Sequence, residues 1–245
     1  MANYLSIAPR IAPLITGLAC LSIMASTTAG QFSEKGLLAC WNFDEGNGEE
    51  AKDSSGNGNH GKIRGAKWSS GKIGHGLQFD GKSYVFVPHS EQLNFGAGDF
   101  TIEFWIKSEC DGVWQAIGKN KLWFDNGSGW HFSAAGIPAD FLFEISGEKK
   151  RNSMRLSTGR KFEWSHIAVV RDGGSLDFYI NGELKFSREN MDECQGNNDN
   201  KENLYIGSFK GESMFFKGML DEIRIYERAL GADEVKSHYL ITTGL

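Results

Sequence analysis

The stretch DSSGNGNHG, residues 53–61, sets Asp53, Ser54, Ser55, Asn57 and Asn59 among three glycines. These residue types offer the oxygen donors that a hard cation such as calcium takes. Gly and Asn at this density interrupt helix and strand alike. Two readings are open from composition: a loop that holds a cation, or a polar turn between strands.

A second chemistry to look for is paired carboxylates. Glycoside hydrolysis needs two carboxyl groups about 5–5.5 Å apart for retention and about 6.5–9.5 Å for inversion. Acids two residues apart on one strand would stand roughly 6.6 Å apart. No such pair falls in a strand-like run: Glu103 has Thr101 and Trp105 as same-face neighbours, and Asp140 and Glu144 are four residues apart. His60, His75 and His89 fall in turn-like segments, and His166 precedes the run IAVV beside Trp164. The spacings contain no HExxH, CxxC or Gly-x-Ser-x-Gly, which speaks against zinc and a serine nucleophile.

The third chemistry is the stacking of aromatic rings on sugar faces, with polar groups around them. In KLWFDNGSGWHF, Trp123 and Trp130 flank a Gly-rich turn, with Asp125, Asn126 and His131 as hydrogen-bonding neighbours. Trp114, just after CDG, is a third candidate ring. Trp41, Phe43, Phe79, Phe104 and Trp164 sit inside apolar runs and are expected in the core.

The elements that must position these residues are strands. Some twelve short runs, among them GLLACWNF, SYVFVPH, FTIEFWIKS, DFLFEISG and GMLDEIRIYE, alternate with Gly, Asn and Asp turns. Asn181-Gly182 in YINGEL and Asp172-Gly173-Gly174 in RDGGSL are hairpin signals. Only RALGADEVKSHYL has a helical pattern, with Leu230, Val235 and Tyr239 on one face. Many strands without crossover helices predict an all-β, two-sheet antiparallel sandwich with one short C-terminal helix. Strand alternation puts Asp221 on the same face as Ile223 and Ile225, where a buried carboxylate would need a partner.

The segments WNFDEGNG, DSSGNGNHG, WSSGKIGHGLQFDG, YVFVPHSEQLNFGAGDFTIEFWIKS, WSHIAVVRDGGSLDFYINGEL, LYIGS and FKGMLDEIRIYERALGADEV occur in that order. Together they resemble the laminin-G-like, concanavalin A-like lectin/glucanase family, in its bacterial secreted branch, from about Gly36 to Tyr239. The resemblance implies a jelly roll that binds sugar or protein more often than it catalyses. It also implies a structural calcium near the sandwich rim, where Asp53 meets Asp221, with Asn57 and Asn59 as further donors. The glucanases of this fold use a Glu-x-Asp-type run on a strand, and the strand-like apolar runs of this sequence contain none. The expectation is therefore a non-catalytic carbohydrate-binding module. An adhesion or scaffold module for protein is the alternative, and a β-glucanase-type hydrolase the second.

The ends and charges set the compartment. Residues 1–30, with Arg10 as the one charge, an apolar run and the small residues ASTTAG, read as a signal peptide. Residues 31–245 then form the jelly-roll domain. Without Arg10 that part has 25 Lys and Arg against 31 Asp and Glu, a net of −6. This excludes a broad nucleic-acid footprint. The apolar run is short for a membrane span, so the mature chain is expected to be secreted, at the cell surface or periplasmic. Three cysteines remain after residue 30. Cys40 reads as a buried hydrophobe, and a disulfide is expected between Cys110 and Cys194, both in polar loops.

Overall fold

The computed structural model describes residues 35–109, 112–121, 128–135, 140–147, 151–157, 163–189 and 198–243. Residues 1–30, read above as a signal peptide, and Cys110, Cys194, Trp123, Asp125 and Asn126 lie outside the described residues.

Sixteen strands follow in chain order. The first six are β1 (Leu37–Trp41), β2 (Glu50–Ala51), β3 (Gly61–Arg64), β4 (Lys67–Ser70), β5 (His75–Asp80) and β6 (Tyr84–Val87). Then come β7 (Phe100–Ser108), β8 (Trp114–Asn120), β9 (Gly129–Ala135), β10 (Asp140–Ser146) and β11 (Arg151–Ser157). The last are β12 (Ser165–Asp172), β13 (Ser175–Ile180), β14 (Glu183–Arg188), β15 (Leu204–Ile206) and β16 (Lys217–Tyr226), before the helix α1 (Ala232–Thr243). They form two antiparallel eight-stranded sheets, as the alternation predicts. The first runs β14-β13-β12-β7-β16-β5-β4, with β1 also on β16, and the second runs β11-β10-β9-β8-β15-β6-β3-β2.

Side-chain alternation divides the second sheet into an inner and an outer face. Ile63, Val85, Ile206, Ile117, Phe132, Phe143 and Met154 make one cross-strand row, and all seven belong to the core between the sheets. Facing them from the first sheet are Ile102, Phe104, Ile106, Val169 and Phe178. Phe104 meets Phe132 edge-on, with ring centroids 4.9 Å apart. Each such buried side chain contributes about 1.5–3 kcal/mol relative to exposure, so this double layer dominates the stability.

Strand β7 is buried on both faces because the core covers one and α1 the other. The solid apolar runs of β12 and β16 have the same cause. The helix docks through Val235, His238 and Thr242, and Tyr239 stacks on Trp105 at 5.8 Å. The YINGEL hairpin forms as expected: Asn181 (φ 54°) and Gly182 (φ 73°) are both left-handed, the geometry that joins twisted strands in two residues. Trp41, Phe43, Phe79 and Phe104 are core residues, whereas Trp164 is only half-buried, because it precedes the first paired residue of β12.

The alternation fails at one point in β16. Its register slips between Asp221 and Arg224, and Glu222 has φ 52°. This bulge adds one residue, so Leu220, Ile223 and Ile225 all face the core while Asp221 and Arg224 face away from it. Asp221 therefore does not share a face with the two isoleucines. The bulge falls where β16 changes neighbours on one edge, from β5 (residues 217–220) to β1 (residues 223–226).

Candidate functional site

Asp53 is buried, and its carboxylate accepts backbone amides. Oδ1 accepts the amides of Cys40 and Ser55, both at 2.9 Å, and Oδ2 accepts that of Asn59 at 2.9 Å. Asp221 serves a different segment: Oδ2 accepts from Lys72 N (2.7 Å) and Ile73 N (3.0 Å), and Oδ1 from Glu222 N (2.8 Å). Burial pushes its carboxyl up to about 7, against the pull of these amides. Gly71 is required beside it, since an added Cβ would stand 2.4 Å from the His75 carbonyl and 2.5 Å from Asp221 Oδ2. Asp44 closes the same turn by accepting His75 N at 3.0 Å.

The residues do not fit a calcium shared by Asp53 and Asp221, because each carboxylate organises its own turn. Among the described residues, no three His, Cys, Asp or Glu side chains are grouped to hold a metal ion. What does converge is uncharged. The Leu38 carbonyl oxygen lies 3.2 Å from Ser55 Oγ, 3.1 Å from the Asn57 amide and 2.9 Å from the Asn59 amide, and the Asn57 amide is also 2.9 Å from the Leu37 carbonyl.

The same loop walls a cleft of about 540 Å³. Asn57, Asn59 and His60 stand on one side, with His89, Glu91 and Gln92 around it, and Glu50 and Lys62 at the sheet edge. His60 Nδ1 accepts the Asp53 amide at 2.9 Å. A backbone N–H can only donate, so the ring is in the tautomer with hydrogen on Nε2. Glu91, held below the usual carboxylate range by hydrogen bonds from His89 and Asn94, is ionised in the cleft. Close to it the buried Lys119 ammonium is bound by Asn94 Oδ1 (2.5 Å), Asn200 O (2.8 Å) and Asn200 Oδ1 (3.2 Å), and burial brings it down to about 8.

From Glu50 and Lys62 a single cross-strand row continues along the outer face of the second sheet: Glu50, Lys62, Phe86, Tyr205, Gly118, His131, Glu144. Phe86 and Tyr205 are half-buried, with ring centroids 6.5 Å apart, and the half-buried Tyr84 lies 6.2 Å from Tyr205. Lys62 Nζ is 6.0 Å and Arg64 Cζ 5.6 Å from the centre of the Phe86 ring. Farther along, the row is enclosed: His131 and Glu144 are buried and 3.1 Å apart.

Of the residues predicted for an aromatic site, the described ones, Trp114, Trp130 and His131, are all buried. Trp114 and Trp130 are 1 % and 2 % exposed, in the core between the sheets, because their strand positions point inward regardless of the neighbouring turns. His131 lies in the outer row but is buried. The rings that do face outward are Tyr84, Phe86 and Tyr205. Their signal was present in YVFV and LYI, where each ring alternates with the aliphatic residues that fill the core.

The constellation most like a catalytic centre lies under α1. Glu103 Oε1 is 2.9 Å from His238 Nδ1 and 4.0 Å from Arg224 Nη1, and its Oε2 is 3.6 Å from His166 Nε2. Arg224 also pairs with Glu222. All five are buried, and Glu103 is 0 % exposed. The cluster joins helix to sheet and offers a substrate no approach in this arrangement. Beside it Cys40 is a free, buried thiol that burial raises to about 11.

Two antiparallel sheets packed face to face, with a polar cleft at the rim and a strip of rings on one outer face, make a jelly-roll sandwich. Residues 79–236, more than half of the chain, match the concanavalin A-like lectin/glucanases superfamily in its laminin G form, and the chain belongs to that family. No curated protein sequence matches it. Among solved structures, it is similar to the binding domain of Paraclostridial Mosquitocidal Protein 1 (TM-score 0.68, 20 % identity), covering 84 % of this chain and 52 % of that one. The binding domain of botulinum neurotoxin serotype G is similar at TM-score 0.68 and 18 % identity, with 84 % and 51 % covered. So is that of botulinum neurotoxin DC, solved with rat synaptotagmin II, at 0.66 and 16 %, with 84 % and 52 % covered. The chain spans about half the length of these structures, and the likeness is one of fold. Among the described residues, no helix is long and apolar enough to cross a membrane.

Proposed function

We propose that the chain is an exported, non-catalytic module that binds extracellular glycan along the rim cleft and the adjoining aromatic strip. The observation that carries this reading is the run of half-buried rings, Tyr84, Tyr205 and Phe86, leading into a cleft walled by amide, imidazole and carboxylate groups. Rings take the apolar faces of pyranoses, and the cleft groups take their hydroxyls. The family and the lectin-like fold of the toxin binding domains support a binding role over a catalytic one.

A glycan array probed with the purified protein tests this directly. Tyr205→Ala is expected to weaken the best array ligand by about tenfold, the scale of one lost ring contact, with an unchanged far-UV spectrum. Equal affinity in the variant would remove the strip from the site. Binding to protein is the rival reading, and its support is the edge strand β14, where Leu184 and Phe186 are exposed. Capture by protein receptors that Phe186→Lys abolishes, with a blank glycan array, would favour it.

The calcium expectation carries over in narrower form, to Ser55, Asn57 and Asn59 around the Leu37 and Leu38 carbonyls. Three donors on the Leu38 oxygen exceed its two lone pairs. Turning the Asn57 and Asn59 amides, which keeps their shape, would make the group all-oxygen. Its spacings of 2.9–3.2 Å match ligands lying about 2.4 Å from one calcium. The melting temperature is then expected to rise by several degrees from EDTA to millimolar calcium, and Asn57→Ala to abolish the rise. A flat response in the unmodified chain would leave the loop a hydrogen-bonded turn.

A further inference from the structure

The charge around the aromatic strip is more specific than the strip itself. Lys62 and Arg64 project from alternate positions of β3 on one face of the second sheet, and both lie over the Phe86 ring. Both are exposed. Among the described residues neither has a carboxylate within salt-bridge distance, although Glu50 is the cross-strand neighbour of Lys62. By contrast Lys210 is neutralised by Glu202 at 2.8 Å. A chain with an acidic excess therefore keeps two unneutralised cations on the ring that borders its cleft.

We propose that the strip binds an acidic polysaccharide, with Lys62 and Arg64 contacting the carboxylate or sulfate groups while Phe86 and Tyr205 stack on the sugar rings. This rests on the glycan reading above and adds the ligand's charge to it. The geometry suits such a ligand. The cations lie 6.0 and 5.6 Å from the Phe86 centroid, within reach of an anion borne on a sugar stacked against that ring. The ring in turn preorganises both side chains through cation–π attraction. A neutral glycan would gain nothing from these charges. A protein surface with a negative patch would use the charges but would not need the rings.

The test is affinity electrophoresis of the full chain in gels containing polygalacturonate, alginate or dextran sulfate, beside neutral laminarin and dextran. Retardation by at least one acidic polymer is expected, stronger than by either neutral one, and fading between about 50 and 500 mM NaCl as the Debye length shrinks from about 14 Å to about 4 Å. Lys62→Ala/Arg64→Ala is expected to weaken it by about tenfold. Tyr205→Ala should weaken it as well, and Lys236→Ala, an exposed lysine on α1, should not. Equal retardation by neutral polymers, unaffected by the double substitution, would overturn the charge preference and leave the glycan reading standing. Retardation by acidic polymers that Lys236→Ala reduces as much as the double substitution would overturn the site. No retardation by any of the five polymers, with a blank glycan array, would overturn both.

Discussion

Glu103→Leu is expected to destabilise the protein by about 3–5 kcal/mol, the cost of leaving a buried charge without its counter-charge. For a domain of this size that is roughly 10 °C of melting temperature. The carboxylate is fully enclosed between β7 and α1, where it faces His238, His166 and Arg224. Burial alone would raise its pKa, but these three neighbours together outweigh burial and hold it below the usual carboxylate range. Its removal leaves the Arg224 guanidinium facing two imidazoles without the Glu103 charge, with Glu222 still paired to it. Glu103→Gln should cost less, because the amide still offers an oxygen to His238. Glu103→Leu combined with His166→Leu, Arg224→Met and Glu222→Gln should recover part of the loss, since removing every charge of the group avoids a stranded one. A melting temperature for Glu103→Leu within two or three degrees of the unmodified protein would show that α1 docks without this cluster.

The cluster also fixes a pH dependence. Burial lowers His166 to about 4, against the attraction of Glu103, and Glu103 itself is lowered. Both folded values lie below the unfolded ones of 6.5 and 4.5. Their contributions are therefore fully present above those unfolded values and are lost as pH falls toward 4. Asp221 acts in the opposite sense: raised to about 7, it contributes most below 3.8 and loses that contribution as pH rises through 7. The slope of melting temperature between pH 6.5 and 4 should accordingly be shallower in His166→Phe than in the unmodified chain. Identical slopes would mean that the imidazole titrates freely.

The second large effect is expected at the bulge. Asp221→Ala removes the acceptor for the amides of Lys72, Ile73 and Glu222. At about 1–3 kcal/mol for each buried donor left without a partner, partial access of water to the 71–75 turn brings the sum to about 3–5 kcal/mol. The damage should be local first. The turn closes the point at which β16 exchanges β5 for β1, so limited proteolysis is expected to cut near Lys72 in the variant and not in the parent. Asp221→Asn keeps one acceptor oxygen for the Lys72 and Ile73 amides and should cost less. Its deficit should be larger at pH 5 than at pH 8, because the acid contributes its stabilisation at the lower pH. Resistance of Asp221→Ala to cleavage, with an unchanged melting temperature, would show that Gly71, Gly74 and Asp44 hold the turn unaided.

By itself the sequence determined the two-sheet sandwich, the left-handed Asn181-Gly182 turn, the C-terminal helix and most of the core. These depend on local physics: period-two alternation, residues that tolerate positive φ, and apolar runs that must leave water. It also marked Asp53 and Asp221 as carboxylates in need of partners. Only the tertiary structure decided what those partners are. Backbone amides satisfy both, those of Cys40, Ser55 and Asn59 for Asp53 and those of Lys72, Ile73 and Glu222 for Asp221, and residue types alone do not reveal where an N–H will point. The face of Asp221 was not legible either, since the bulge rests on Glu222 at positive φ, which its residue type does not advertise. One extra residue there breaks the alternation, so Asp221 points away from the core that Ile223 and Ile225 face. Trp114 and Trp130 beside Gly turns looked like exposed rings, yet strand parity carried them into the core. Tyr84, Phe86 and Tyr205 form one strip because β15 pairs with β6 across more than a hundred residues of chain. That pairing follows from burying Val85 and Ile206 on the other face, and it places the binding strip wherever the core leaves it.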